Sequence, residues 1–182
     1  MNRWLVALKV LSPEVISILA CIYVSVILWY LIKTEYKNRR WWNRVNGLLS
    51  LLSVGIILIF SVLGRKSTDA HVLVLMADSE PWDMISELYR NLFLYYPLGV
   101  FLPNVFAGMS DAKSCGYSIP AAFLLSLSIE AWQYWKGTGI AQVSDVAMNT
   151  LGAAIGTAVN LAVFSLGKGK NRTVSHGRSD SI

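Results

Sequence analysis

The sequence predicts an all-α integral membrane protein of about five transmembrane helices, with its N-terminus outside and its C-terminus in the cytoplasm. Three observations predict it. Hydrophobic residues make up 54% of the 182 positions and charged residues only 15%, against about a quarter charged in soluble globular chains. The apolar residues collect into stretches close to the roughly 20 needed to cross a bilayer. Lys and Arg gather in the gaps between those stretches and in the tail.

The first span opens at Ser12, Pro13 and Glu14. Ser12 suits a helix cap, Pro13 a first turn, and Glu14 the positive end of the helix dipole. The span runs from Val15 to Ile32 and stops at Lys33 without a small-residue cleavage site, which argues against a secretory signal. Residues 33–44 are dense in Lys and Arg and carry Trp41 and Trp42, the composition of a loop anchored at a lipid interface. A second span follows from Val45 to Leu63.

Residues 64–87 turn polar and mildly acidic, and within them Ser79, Glu80 and Pro81 predict the start of a short interfacial helix. The third span, Leu88 to Phe106, contains Pro97 and Pro103, each of which tends to kink or end a helix. A loop, Ala107 to Tyr117, leads to the fourth span, Ser118 to Trp135, closed by Trp132, Tyr134 and Trp135. After Lys136 to Gly139 comes the fifth span, Val146 to Leu166, and then a Ser- and Gly-rich basic tail predicted to be disordered. The expected organisation is two N-terminal spans in 1–66, a three-span region in 67–166 and the tail in 167–182.

With five spans, the 33–44 and 107–117 loops and the tail share one side and hold ten of the sixteen Lys and Arg residues. Basic residues near span ends favour the cytoplasm, which places the 64–87 segment outside. The net charge of +5 is explained by those loops, and no nucleic-acid motif accompanies it. Cys21 and Cys115 are too few for a disulfide framework and read as small apolar fillers.

An acid within a span costs about 2.5 to 3.5 kcal/mol at the bilayer centre, so it needs a partner, water or an interfacial position. Ser126, Glu130 and Gln133 are spaced by four and three and share one face of the fourth span. Asp145, Asn149, Gly152 and Gly156 form a matching stripe on the fifth. Arg90 and Asn91 open the third span at the same outer level. These positions predict an outward-facing polar pocket of Arg90, Asn91, Glu130, Gln133, Asp145 and Asn149. There Arg90 would stabilise carboxylates or donate to a carboxylate or phosphate. A packing role competes for several of them: Asn149, Gly152 and Gly156 suit close helix approach, Pro97 and Gly99 shape the third span, and Arg90 suits snorkelling at a span end.

Signatures of catalysis are sparse. His71 and His176 lie far apart, and no nucleophile elbow or phosphate-binding glycine loop is present, so no metal or cofactor is expected. Glu130 and Asp145 have the chemistry of an acid and base pair.

Three ordered motifs resemble the VanZ family: Asn91, Tyr95, Pro97 and Gly99 in an N-x-x-x-[FY]-x-P-x-G segment, then Ser126 through Gln133, then Asp145 through Gly156. Many members carry a further acid and an Arg where this chain has Gln142 and Gly139. The family's N-L-x-P-F-like element has no counterpart in residues 71–76. The resemblance implies a small protein of the bacterial cell membrane, linked in the founding case to resistance against teicoplanin. The expected function is lowered susceptibility to teicoplanin-type lipoglycopeptides through the outward-facing pocket. Its partners would be membrane lipid and a lipoglycopeptide or lipid-linked cell-wall precursor. An intramembrane enzyme acting on a lipid-linked substrate and a non-catalytic scaffold or carrier are the alternatives.

Overall fold

The structure, a computed structural model, describes residues 39–63, 70–75, 81–106 and 111–176. The predicted first span, Val15 to Ile32, lies outside the described residues. Helix α1 spans Arg39–Leu58 and ends in a π-helical turn, Ile59–Leu63. Strand β1 covers Ala70–Val74, and α2 covers Pro81–Phe101 before a 3-10 turn at Leu102–Phe106. Helix α3 is Asp111–Lys136, β2 is Thr138–Gln142 and α4 is Val143–His176.

The helical class predicted from the sequence is observed, with four corrections of detail. The short interfacial helix and the third span are one continuous helix, which starts at Pro81 as the Ser-Glu-Pro signal predicted. It passes through Pro97 and gives way only before Pro103. Proline removes one backbone donor, and extensive packing of α2 on α4 outweighs that loss at position 97. Residues 111–117, expected as loop, form the first turns of α3; no proline interrupts them. The tail is helical as far as His176. Extending a helix already formed costs little per residue.

The fourth correction is a small sheet. Strands β1 and β2 pair in parallel, in a register that sets Ala70 opposite Thr138 and Val74 opposite Gln142. It joins the connection between α1 and α2 to the connection between α3 and α4. The Ser144 amide donates to the Leu75 carbonyl at 3.0 Å, which carries the pairing into the first turn of α4. Gly137, with φ 60°, makes the reversal from α3 into β2.

The distribution of polarity is that of a protein solvated by lipid. Leu48, Leu51, Leu52 and Phe60 on α1, Leu124 and Leu127 on α3, and Leu151 on α4 are exposed. Buried polar side chains outnumber buried apolar ones among the described residues. In water that arrangement would be strongly unfavourable, whereas in hydrocarbon the outer apolar surface costs nothing and polar groups pair inside. Two described helical segments are long and apolar enough to cross a membrane, Asn43–Val62 and Val143–Val163. Helices α2 and α3 have the length, at 21 and 26 residues, but carry more polar side chains. This is a membrane protein with a polar interior.

The end of α2 shows how such an interior is satisfied. Pro103 offers no N–H to the Gly99 carbonyl four residues earlier, and Thr157 Oγ1 donates to that carbonyl instead, at 3.1 Å. The Val100 carbonyl accepts from Asn160 Nδ2 at 2.7 Å and from Asn104 Nδ2 at 3.3 Å. Asn104 Nδ2 also donates to Asn46 Oδ1 of α1 at 3.1 Å. Replacing Thr157 by Val keeps shape and removes the donor, so thermal unfolding in detergent should show a loss of about 1 to 3 kcal/mol.

Candidate functional site

The site is built where α2, α3 and α4 meet beneath the small sheet. Its scaffold is a glycine seam between α2 and α4. A Cβ at Gly99 would fall on the Ala153 carbonyl oxygen, one at Gly152 on the Leu92 carbonyl oxygen, and one at Gly156 on the Tyr96 carbonyl oxygen. The G-x-x-x-G of α4 therefore brings it against α2, the packing expected of Gly99, Gly152 and Gly156, with Pro97 in the same stretch of α2. This contact holds Tyr95 of α2 fully buried against the polar faces of α3 and α4.

Glu130 is 6% exposed, and its Oε2 accepts the backbone N–H of Gln142 at 2.9 Å. The last residue of β2 thus caps the carboxylate with a main-chain donor. The Gln142 side chain turns to α2, where its Nε2 donates to Glu87 Oε1 at 3.3 Å, while its Oε1 accepts from Ser144 Oγ at 3.3 Å. Gln133, one turn beyond Glu130, is 1% exposed and donates from Nε2 to the Ser61 carbonyl at 2.9 Å. Ser61 lies in the π-helical turn of α1, a widened turn of the kind found often at functional positions.

On α4, Asp145 is 2% exposed and sits in the first helical turn, where the helix dipole favours a carboxylate. Asn149, one turn deeper, donates from Nδ2 to Ser126 Oγ of α3 at 2.8 Å. The Tyr95 hydroxyl lies beside Ser126, within electrostatic range of both Glu130 and Asp145. Buried atoms of this group without a hydrogen-bond partner include Asn91 Nδ2, Gln133 Oε1 and Asn149 Oδ1. Buried polar atoms are nearly always paired, and each open one costs about 1 to 3 kcal/mol. Their concentration in one place makes this the candidate site.

Of the residues chosen from sequence, Glu130, Gln133, Asp145 and Asn149 are buried in this cluster and Asn91 is half-buried at its α2 side. Arg90 is exposed. One residue is about 100° around a helix, so the face that carries Asn91 turns Arg90 away. Three further residues join the cluster, Glu87, Tyr95 and Gln142. A helical signal for two of them was present, since Glu87, Asn91, Tyr95 and Gly99 recur every four residues and form a stripe like those on α3 and α4. Gln142 gave no such signal, because its contribution to Glu130 is made by the main chain.

The depth of the site follows from the end of α3. Trp132, Tyr134 and Trp135 are exposed, and Lys136 Nζ stands over both indoles, 5.3 Å and 5.0 Å from their centroids. His71 Nδ1 donates to the Tyr134 carbonyl at 2.6 Å, fastening β1 to this end. Such an aromatic and cationic collar suits the lipid headgroup level. Glu130, five residues before Trp135, is then about 7 to 8 Å farther along the helix axis. Among the described residues no group of three His, Cys, Asp or Glu side chains is arranged to hold a metal ion.

A family model described as VanZ/LLP1 matches residues 16–164. No curated protein and no solved structure matches the chain at a significant level. The family match begins far upstream of Asn91, takes in the first two predicted spans and contains every residue of the buried cluster, and the chain belongs to the VanZ family.

Proposed function

We propose that this protein lowers susceptibility to teicoplanin-type lipoglycopeptides, acting through the buried polar cluster at the outer level of the bacterial cell membrane. The observation that carries this reading is the concentration of open polar atoms around Glu130 and Asp145 in a VanZ-family chain. Five spans give the proposed topology, with the basic 33–44 loop and the tail in the cytoplasm and the sheet outside. The aromatic collar of α3 and the excess of Lys and Arg on the opposite side support that orientation. A pocket just beneath the outer headgroups is positioned to meet an acylated drug or a lipid-linked precursor as it lies in the outer leaflet.

The test compares teicoplanin with vancomycin in a sensitive host expressing the parent, Glu130→Gln, Asp145→Asn or Arg90→Ala at equal membrane levels. Protection against teicoplanin alone, lost in the two acid variants, is the expected result. Equal protection by all three variants would remove the cluster from the mechanism. The buried Tyr95 hydroxyl, within electrostatic range of both Glu130 and Asp145, favours a second reading, proton transfer on a lipid-linked envelope substrate. That reading requires an altered lipid or precursor in extracts of protected cells, and an unchanged profile at full protection rules it out.

A further inference from the structure

The small sheet does not continue outward from the end of α3; it folds back along it. Gly137 reverses the chain directly after Lys136, and β2 runs from Thr138 to Gln142, whose N–H reaches the Glu130 carboxylate. Since Glu130 lies five residues before Trp135, β2 descends about 7 to 8 Å from the aromatic collar, measured along α3. Strand β1 is parallel and descends with it: His71 binds the Tyr134 carbonyl near the collar, and the Leu75 carbonyl accepts from Ser144 in the first turn of α4. The side chains that this pair leaves uncovered are apolar. Leu73 and Leu75 are 66% and 80% exposed, and Val72 and its cross-strand neighbour Ile140 are exposed on the face opposite to Leu73. Residues 70–75 and 138–143 hold no Asp, Glu, Lys or Arg. Strand edges that face water are usually guarded by such charges, and parallel strands are usually covered on both faces.

We propose that the β1–β2 pair is a lipid-binding surface, set into the headgroup and upper acyl region of the leaflet that holds the site instead of standing in the water beyond it. Its partner is phospholipid, which meets Val72, Leu73, Leu75 and Ile140. The surface is continuous with Trp132, Tyr134, Trp135 and Lys136, the collar that suits the headgroup level. Its descent from that collar is close to the depth of the headgroup region, about 5 to 8 Å on each side of a bilayer. Water still reaches that zone, so main-chain groups at the outer edges of the sheet stay solvated, as they could not in dry hydrocarbon. The inference goes beyond the function proposed above, since it concerns how the strands over the site are held and not what the site takes.

The test uses full-length protein in vesicles of phosphatidylglycerol and phosphatidylcholine. In a Cys21→Ala, Cys115→Ala background, Leu73→Cys, Leu75→Cys or Ile140→Cys carries a single spin label. Oxygen collects in lipid and a water-soluble nickel chelate stays outside it, so the ratio of their collision rates with the label reads the surrounding medium. Leu73→Cys and Leu75→Cys should each give a ratio several-fold above that of free spin label in buffer, in the direction of Leu51→Cys on the exposed apolar face of α1. Should one of these variants fail to fold, Ile140→Cys reports on the opposite face of the sheet with the same expectation. A ratio equal to that of the free label places the sheet in water and overturns the proposal. Low accessibility to both reagents means that protein covers the surface, and dipolar broadening between labels identifies that protein as a second copy; either result also overturns it. Teicoplanin protection plays no part in these readouts, so this surface and the function proposed above stand or fall separately.

Discussion

Gly152→Ala is expected to lower the yield of folded protein sharply, while Gly47→Ala leaves it unchanged or slightly raised. Both substitutions add one methyl group to a helix interior, where alanine is the better helix former by about 1 kcal/mol. At Gly47 the new Cβ meets nothing within 4 Å, so only the intrinsic gain remains. At Gly152 it would coincide with the main-chain oxygen of Leu92, and a carbonyl within a helix cannot swing aside as a flexible side chain can. Helices α2 and α4 must then separate along the whole seam, because Gly99 and Gly156 make equally close approaches. Overpacking of this kind costs about 1 to 3 kcal/mol or more, a large share of a marginal stability. Parallel detergent unfolding curves and size-exclusion profiles check it; matching curves would mean that the seam is looser than described.

Glu130→Leu should be the most damaging single change to the site. It keeps side-chain bulk but leaves the Gln142 N–H, now 2.9 Å from the Glu130 carboxylate, without its acceptor. Losing that charge-assisted bond costs about 1.5 to 3 kcal/mol. The effect spreads further, since Gln142 also ties Glu87 of α2 and Ser144 of α4 into the same network. Teicoplanin protection is expected to vanish, and exchange of the Gln142 amide with deuterium to accelerate by at least about tenfold. Glu130→Gln, which can still accept that N–H, should retain slow exchange while losing the charge. A slow Gln142 amide in the leucine variant would show that the sheet, rather than the carboxylate, holds this turn in place.

The contrast between these residues explains how much could be read from the chain. Periodic features were legible because a helix repeats them: Ser126, Glu130 and Gln133 on α3, and Asp145, Asn149, Gly152 and Gly156 on α4, share faces in the structure as their spacing required. The start of α2 at Pro81 was legible because capping chemistry is local. Features made by distant partners were not. Strand β2 is five residues with two small ones at its start, and only pairing with β1 makes it a strand. Pro97 looked like a break since the local rule sees the missing donor and not the seam that compensates for it. Arg90 was placed by its level in the membrane, which ignores the rotation that separates it from Asn91.

The parallel pairing of β1 with β2 also sets an order of events. Ala70 leaves the ribosome 68 residues ahead of its partner Thr138, a gap of roughly 3 to 14 s at about 5 to 20 residues per second. During that time α1 and α2 are already synthesised, while the strand edge that will close the site has no companion. Glu130 follows, and Gln142, the source of its main-chain donor, emerges twelve residues later. The site is thus closed only once β2 and α4 have been added to the helices made before them. A stall placed between residues 136 and 143 would leave a nascent chain in which Glu130 is made but neither Gln142 nor α4 is present to enclose it.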